Sequence, residues 1–243
     1  MNNNVLRVVI FFSFLLISNV LSAFDRISVP ITLNNPVPVK HISNQYMEFT
    51  NWYWPSSMLY ADSDRTIEKT RESLLTLLYN YAETLDSQDS QVVLSIIDSV
   101  KQWQLVRRLP VIFDPFINIL NRETNPYLPA GRFWLSVPTE QPTILVVGWS
   151  GTERMIEPKL HEDVISVLAQ YADTFSLADE SLVWRIDSRG LVSKLGVGYW
   201  NPHSQQAMPG DILYVPLKER MFSDIEKTIN ELMVELLKNR VVK

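Results

Sequence analysis

The stretch Ala207-Met208-Pro209-Gly210-Asp211-Ile212-Leu213-Tyr214-Val215-Pro216 constrains this chain more than any other. Proline presets φ and glycine accepts the positive φ that other residues resist, so Pro209-Gly210-Asp211 reads as a turn. The uncharged run behind it reads as a buried strand whose ladder ends at Pro216. An earlier copy of the pattern is Leu128-Pro129-Ala130-Gly131-Arg132-Phe133-Trp134-Leu135-Ser136-Val137-Pro138. Each copy runs proline, glycine, a β-rich stretch and Val-Pro, and each has another apolar strand upstream, at residues 26–30 and 143–148. This predicts a duplicated β-rich unit, and a repeat outweighs single-residue clues.

Residues 1–23 have the form of a cleaved signal peptide. Arg7 and the amino terminus supply positive charge, residues 8–17 are apolar apart from Ser13, and Leu21-Ser22-Ala23 offers a small residue for cleavage. The apolar run is shorter than the roughly 20 residues of a comfortable membrane span. The chain has no cysteine, which excludes disulfides, thiolate metal sites and a lipid-modified cysteine. A net charge of −5 gives no reason to expect nucleic acid as a partner.

From residue 24 to about 140 the expected unit opens with a strand pair. Ile27, Val29, Ile31 and Leu33 alternate with polar residues or proline, Asn34-Asn35-Pro36 is the turn, and Val37-Pro38-Val39 begins the return. Trp52-Tyr53-Trp54-Pro55 follows. Such aromatics either stack on sugar rings or fill a core, since each buries a large area. Over residues 63–106 the period changes to that of helices. Ile67, Leu74, Leu78, Tyr81 and Leu85 share one face, with Ser63 as N-cap. After the polar link at residues 86–90, Val93, Ile96, Ile97 and Val100 line a second helix, making an αα-hairpin inserted in the first unit. Strands are expected to resume over residues 109–114 and 116–120.

The second unit, residues 141–218, reads as strand, turn, helix, hairpin, strand, with Asp187-Ser188-Arg189-Gly190 at the hairpin turn. That order fits an α+β unit with a helix across one sheet face rather than a doubly wound parallel sheet. Residues 219–243 form an amphipathic helix opened by the capping box Ser223-Asp224-Ile225-Glu226. Its stripe predicts Ile225, Ile229, Leu232 and Leu236 against the body. The opposite face carries both charge signs, Lys227 and Lys238 with Glu231 and Glu235, whereas a lipid-surface helix favours lysine and arginine there.

No catalytic constellation stands out, and no metal or other cofactor is expected. Gly148-Trp149-Ser150-Gly151 lacks the spacing of a nucleophile elbow. His161-Glu162-Asp163 offers ligand types, but neighbouring helix residues diverge by about 100° and do not share one metal. Arg107-Arg108 is the pair to weigh, because it lies where the helical insertion rejoins an apolar run. A guanidinium there is solvated, held by a carboxylate, or a contact for an anion or sugar in a cleft.

The chain resembles the GfcC family of capsule-biosynthesis proteins over nearly its whole mature length. The resemblance is carried by Trp52-Tyr53-Trp54-Pro55 before a helical hairpin, Arg108-Leu109-Pro110-Val111 with Asp114-Pro115, Asn125-Pro126-Tyr127-Leu128, the strand at Gly131, Pro142-Thr143-Ile144, and the Pro-Gly-Asp strand. The family is similar to the β-grasp domains of outer-membrane polysaccharide exporters of the Wza group. The resemblance therefore implies two β-grasp (SLBB-like, soluble-ligand-binding) domains, the first carrying the inserted helices. It implies a non-enzymatic accessory protein of capsule or exopolysaccharide assembly or export in the periplasm of a Gram-negative bacterium, and a monomer is expected. Polysaccharide or export components are the implied partners, and no enzymatic activity comes with the likeness. A family arginine lining a cleft corresponds to Arg108. Together with Arg107, Trp52 and Trp54, it makes up the ligand-binding candidates. Tyr53 in the aromatic motif and Arg107 before Arg108 depart from the family pattern.

Overall fold

The computed structural model describes residues 26–46, 52–62, 65–113, 125–138, 142–149, 152–157, 159, 161–170, 177–202, 205–221 and 223–242. The expected signal peptide, the Ser63 cap, the strand at residues 116–120 and part of the Gly148–Gly151 turn lie outside them.

The first sheet comprises β1 (Arg26–Leu33), β3 (Met58–Ala61), β4 (Arg108–Leu109) and β6 (Gly131–Pro138), in the order β1-β6-β3-β4. All its pairings are antiparallel. A two-residue ribbon joins β2 (Val37–Pro38) to β5 (Tyr127–Leu128), and helix α1 (Val39–Ser43) follows β2. The expected hairpin between β1 and residues 37–39 does not form. Pro36 and Pro38 lack two of the N–H groups that a return strand would donate, and β1 instead pairs with β6 over its full length. Pairing in β4 stops at Leu109 because Pro110 has no N–H, so the strand expected over 109–114 is only a stub.

Between β3 and β4 the chain forms α2 (Arg65–Ala82) and α3 (Ser87–Gln102). Asp86 caps α3 by accepting the N–H groups of Gln88 and Asp89. The second sheet contains β7 (Ile144–Val147), β8 (Arg154–Ile156), β9 (Leu182–Ile186), β10 (Val192–Gly196) and β11 (Ile212–Tyr214), ordered β10-β9-β11-β7-β8. Helix α4 (Val164–Ala169) lies between β8 and β9 in the chain, and α5 (Ile225–Lys238) closes it. In the centre β7 and β11 run parallel and are buried at every residue, as parallel strands covered on both faces are. Gly210 has φ +86°, as the Pro-Gly-Asp turn requires.

The two copies of the sequence pattern thus occupy different sheets. The earlier one, β6, pairs antiparallel with its upstream strand, whereas the later one, β11, pairs parallel with its own. Recurrence of the local motif does not carry recurrence of the pairing.

Two clusters of buried apolar side chains hold the molecule. One gathers Ile31, Leu33, Phe133 and Leu135 of the first sheet with Tyr46, Trp52, Trp54 and Phe113. The other joins the second sheet to α2, α3, α4 and α5. The helical hairpin is therefore spliced into the first sheet but packs with the second. Ile229, Met233, Leu236 and Leu237 of α5 are almost wholly buried, and each such side chain stabilises by roughly 1.5–3 kcal/mol. Ile225, expected in the stripe, is 46% exposed. Packing on both α2 and β9 turns the buried face toward Met233 and Leu237. The capping box is also modified: Ser223 donates its hydroxyl to the buried carboxylate of Glu226, which Arg220 also holds. Midway along α5, Asn230 accepts from the Tyr214 hydroxyl at 2.7 Å and exchanges two bonds with the backbone of Leu217.

Candidate functional site

The end of α5 is drawn into the junction between the sheets. The Asn239 carbonyl takes the N–H of Val106, the Asn239 side chain takes that of Arg108, and Val241 donates to the carbonyl of Gln104. Arg240 is clamped by both oxygens of Glu153, at 2.8 and 2.6 Å, and lies over the ring of Trp103. Beside this seam opens a cleft of about 340 Å³. Its walls are β4, the first turn of α2, the β9–β10 turn and the last turn of α5.

Arg108 forms the floor. In β4 it lies opposite Tyr60, and only 7% of its surface is exposed. Its guanidinium donates to the carbonyl of Arg240 at 2.7 Å and to that of Asp187 at 3.3 Å, and it lies over the Tyr60 ring, 5.7 Å from the centroid. Among the described residues no carboxylate reaches it, and its Nε–H has no acceptor. Sequence reasoning expected solvation or a carboxylate; the structure provides carbonyls and an aromatic face. Carbonyls and a ring leave the net positive charge of the guanidinium in place, so among the described residues it contributes a positive field to the cleft.

Arg107 follows the alternation of an extended chain. Its neighbour is buried, its own side chain is exposed on the cleft rim, and it has no ion-pair partner among the described residues. Arg189 comes from the β9–β10 turn, where Asp187 accepts the backbone N–H groups of Arg189 and Leu191 and pairs with the Arg189 guanidinium at 2.6 Å. Lys238 comes from α5 and pairs with Glu235 at 2.7 Å. Gly190 has φ +79°, and a Cβ there would stand 3.2 Å from Cδ of Arg108, so the turn approaches the arginine this closely only with glycine. Among the described residues four cations and one carboxylate line the cleft, which makes it a net cationic surface.

Trp52 and Trp54 are not part of this lining. They are 8% and 4% exposed and form a continuous aromatic stack, from Tyr46 through Trp52 and Trp54 to Phe113, with centroids 5.3–6.3 Å apart. Their first role is to fill the core of the first sheet. Among the described residues no cluster of histidine, aspartate or glutamate is placed to hold a metal. Asp163 instead caps α4 through the N–H of Ser166.

One pair escaped the sequence reading. Asp211, the last residue of the Pro-Gly-Asp turn, is 2% exposed and pairs with Arg185 of β9 at 2.6 Å, while taking the N–H of Met208. Burial pushes its pKa up to about 6, against the opposing pull of Arg185. The signal was present in Leu182-Val183-Trp184-Arg185-Ile186, an arginine within an apolar strand, the same clue that singled out Arg108.

Residues 157–242 match a family model described as capsule biosynthesis GfcC C-terminal. An uncharacterized protein of Escherichia coli (strain K12), YjbG, is 23% identical over 194 residues, which cover 79% of this chain and 78% of its own length. The resemblance read from the motifs is thus borne out. Of the motifs that carried it, the Pro-Gly-Asp strand lies inside the matched residues.

Proposed function

We propose that this GfcC-like chain is a non-enzymatic accessory protein of capsule or exopolysaccharide assembly, binding an anionic glycan in the cleft around Arg108. The observation that carries the reading is the cationic charge of Arg107 and Arg108, which no carboxylate among the described residues pairs, in a preformed concavity. A guanidinium presented without a carboxylate suits uronate, pyruvate or phosphate groups on a sugar chain. The likeness of residues 157–242 to the capsule-biosynthesis family model supports a role in capsule biosynthesis. The apolar N-terminal segment agrees with export to the periplasm. A β-grasp reading of the second sheet is supported by its central parallel pair, its antiparallel flanks and helix α4 between β8 and β9. An accessory role is favoured over a pore-forming one because α5 buries Ile229, Met233, Leu236 and Leu237 on the body. No helix among the described residues is long and apolar enough to cross a membrane.

Calorimetric titration with oligogalacturonate tests the reading. Arg107→Ala removes an exposed, unpaired charge, so the melting temperature stays unchanged while the dissociation constant rises roughly tenfold, about 1.4 kcal/mol. Release of new reducing ends from an acidic polysaccharide, abolished by one carboxylate substitution, would replace the binding reading with an enzymatic one.

A further inference from the structure

The β9–β10 turn has a second cavity on its other flank. This one measures about 210 Å³, and Arg189 lines both. One wall is the aromatic segment, with Tyr53 half-buried and Trp54 and Pro55 beside it; Ile112 and Met208 contribute apolar surface. The opposite wall is polar and composed of two ion pairs, Arg185 with Asp211 and Arg189 with Asp187. The indole N–H of Trp54 is buried behind this wall and has no acceptor among the described residues.

The two cavities differ in charge. Among the described residues four positive side chains face one carboxylate in the cationic cleft, whereas here two guanidiniums face two carboxylates. An acidic ligand gains little from the second cavity, because each described cation there is already paired with an anion. A neutral pyranose does gain. Its hydroxyls both donate and accept, so they match a wall that offers carboxylate oxygens beside guanidinium N–H groups, and its C–H face packs on an aromatic wall. The volume is below the roughly 300–1,000 Å³ of a typical ligand pocket, which limits the occupant to about one sugar ring.

We propose that this cavity is a subsite for a neutral hexose unit. The glycan bridges the β9–β10 turn with an acidic residue in the Arg107–Arg108 cleft and a neutral neighbour against Tyr53. The inference rests on the glycan-binding reading above and narrows its ligand to acidic heteropolysaccharides whose charged and neutral residues adjoin.

Calorimetric titration of the full chain with three probes tests it. A hyaluronan octasaccharide alternates acidic and neutral residues, oligogalacturonate is acidic at every residue, and maltooctaose is neutral throughout. The alternating probe is expected to bind roughly tenfold more tightly than either of the others. Met208→Trp fills the cavity from its rim, where Met208 is 39% exposed. It should abolish that preference while leaving oligogalacturonate affinity and the melting temperature unchanged. Tyr53→Ala checks the aromatic wall in the same way. Equal affinity for the alternating and fully acidic probes overturns the proposal, as does an alternating probe that binds normally to both variants. If oligogalacturonate binding is lost in Arg107→Ala while the cavity variants change nothing, the cleft reading stands and the subsite falls. If none of the three probes binds, both fall.

Discussion

Replacing Arg108 by methionine separates a structural arginine from a ligand-facing one. Methionine keeps the apolar stem that packs beside Gly190 and removes only the guanidinium. Had Arg108 been half of a buried ion pair, the stranded carboxylate would make the loss about 3–5 kcal/mol. The structure indicates a smaller cost, because neither acceptor is left bare. The Arg240 carbonyl also faces the Tyr60 hydroxyl at 3.4 Å, and the Asp187 carbonyl takes the N–H of Gly190 at 2.8 Å. Of the guanidinium's own bonds only the one at 2.7 Å is short, and a charge-assisted bond is worth about 1.5–3 kcal/mol. Release of a poorly solvated cation with an unsatisfied Nε–H offsets part of this. The net expectation is a loss of about 1–2 kcal/mol, a fall in melting temperature of roughly 2–8 °C for a chain of this size. Calorimetry and chemical denaturation of the mature protein measure it, and oligogalacturonate titration follows on the folded variant. Binding should drop by at least roughly tenfold. A fall beyond about 12 °C would mean that Arg108 is chiefly a structural tie, and unchanged affinity in the folded variant would refute its ligand role.

Asp211 is predicted to give the protein a pH dependence of unusual sign. A carboxyl whose folded pKa is about 6, against an ordinary value of 3.8, binds its proton more readily in the folded state, so stability falls as pH rises between those values. Lowering the pH from 7 to 5 should therefore contribute about 1 kcal/mol of stability from this group, a component absent in Asp211→Asn. Urea denaturation at a series of pH values checks it, and an identical slope in the variant would count against the assignment. In α5, Leu236→Ala should cost about 2–5 kcal/mol because Leu236 is fully buried, while Ile225→Ala should cost less than about 0.5 kcal/mol. Equal losses at the two positions would mean that the helix packs through the stripe read from sequence rather than through the face centred on Met233.

Local chemistry was legible in the sequence, and pairing across distance was not. The positive φ of Gly210, the helical periods of α2, α3 and α5 and the β9–β10 turn follow from residues a few positions apart. The partner of β1 could not be read in this way. Its eight-residue ladder with β6 forms about a hundred positions downstream, and the nearer partner is disqualified only by the two missing N–H groups of Pro36 and Pro38. The hairpin insertion was visible as a change of period, but its packing on the second sheet depends on contacts with α5 that no local pattern encodes. Arg107 and Arg108 were found because charge interrupts an apolar run. The other cations of the cleft, Arg189 and Lys238, looked like solvated turn and helix residues until the fold brought them to the same wall. For Trp52 and Trp54 the sequence already favoured core filling over sugar stacking, and both side chains are buried.

The central claim, that the cleft around Arg108 receives an anionic glycan, is tested most directly by mapping the bound chain on the folded protein. Amide chemical shifts are followed during titration with oligogalacturonate at low and high salt. Saturable shifts are expected at Gly190, Leu191 and Asn239 on the cleft wall and at the Arg108 amide held by Asn239, with apparent affinity falling as salt screens the guanidiniums. Shifts confined to residues away from this junction, or the same affinity in low and high salt, would contradict the account.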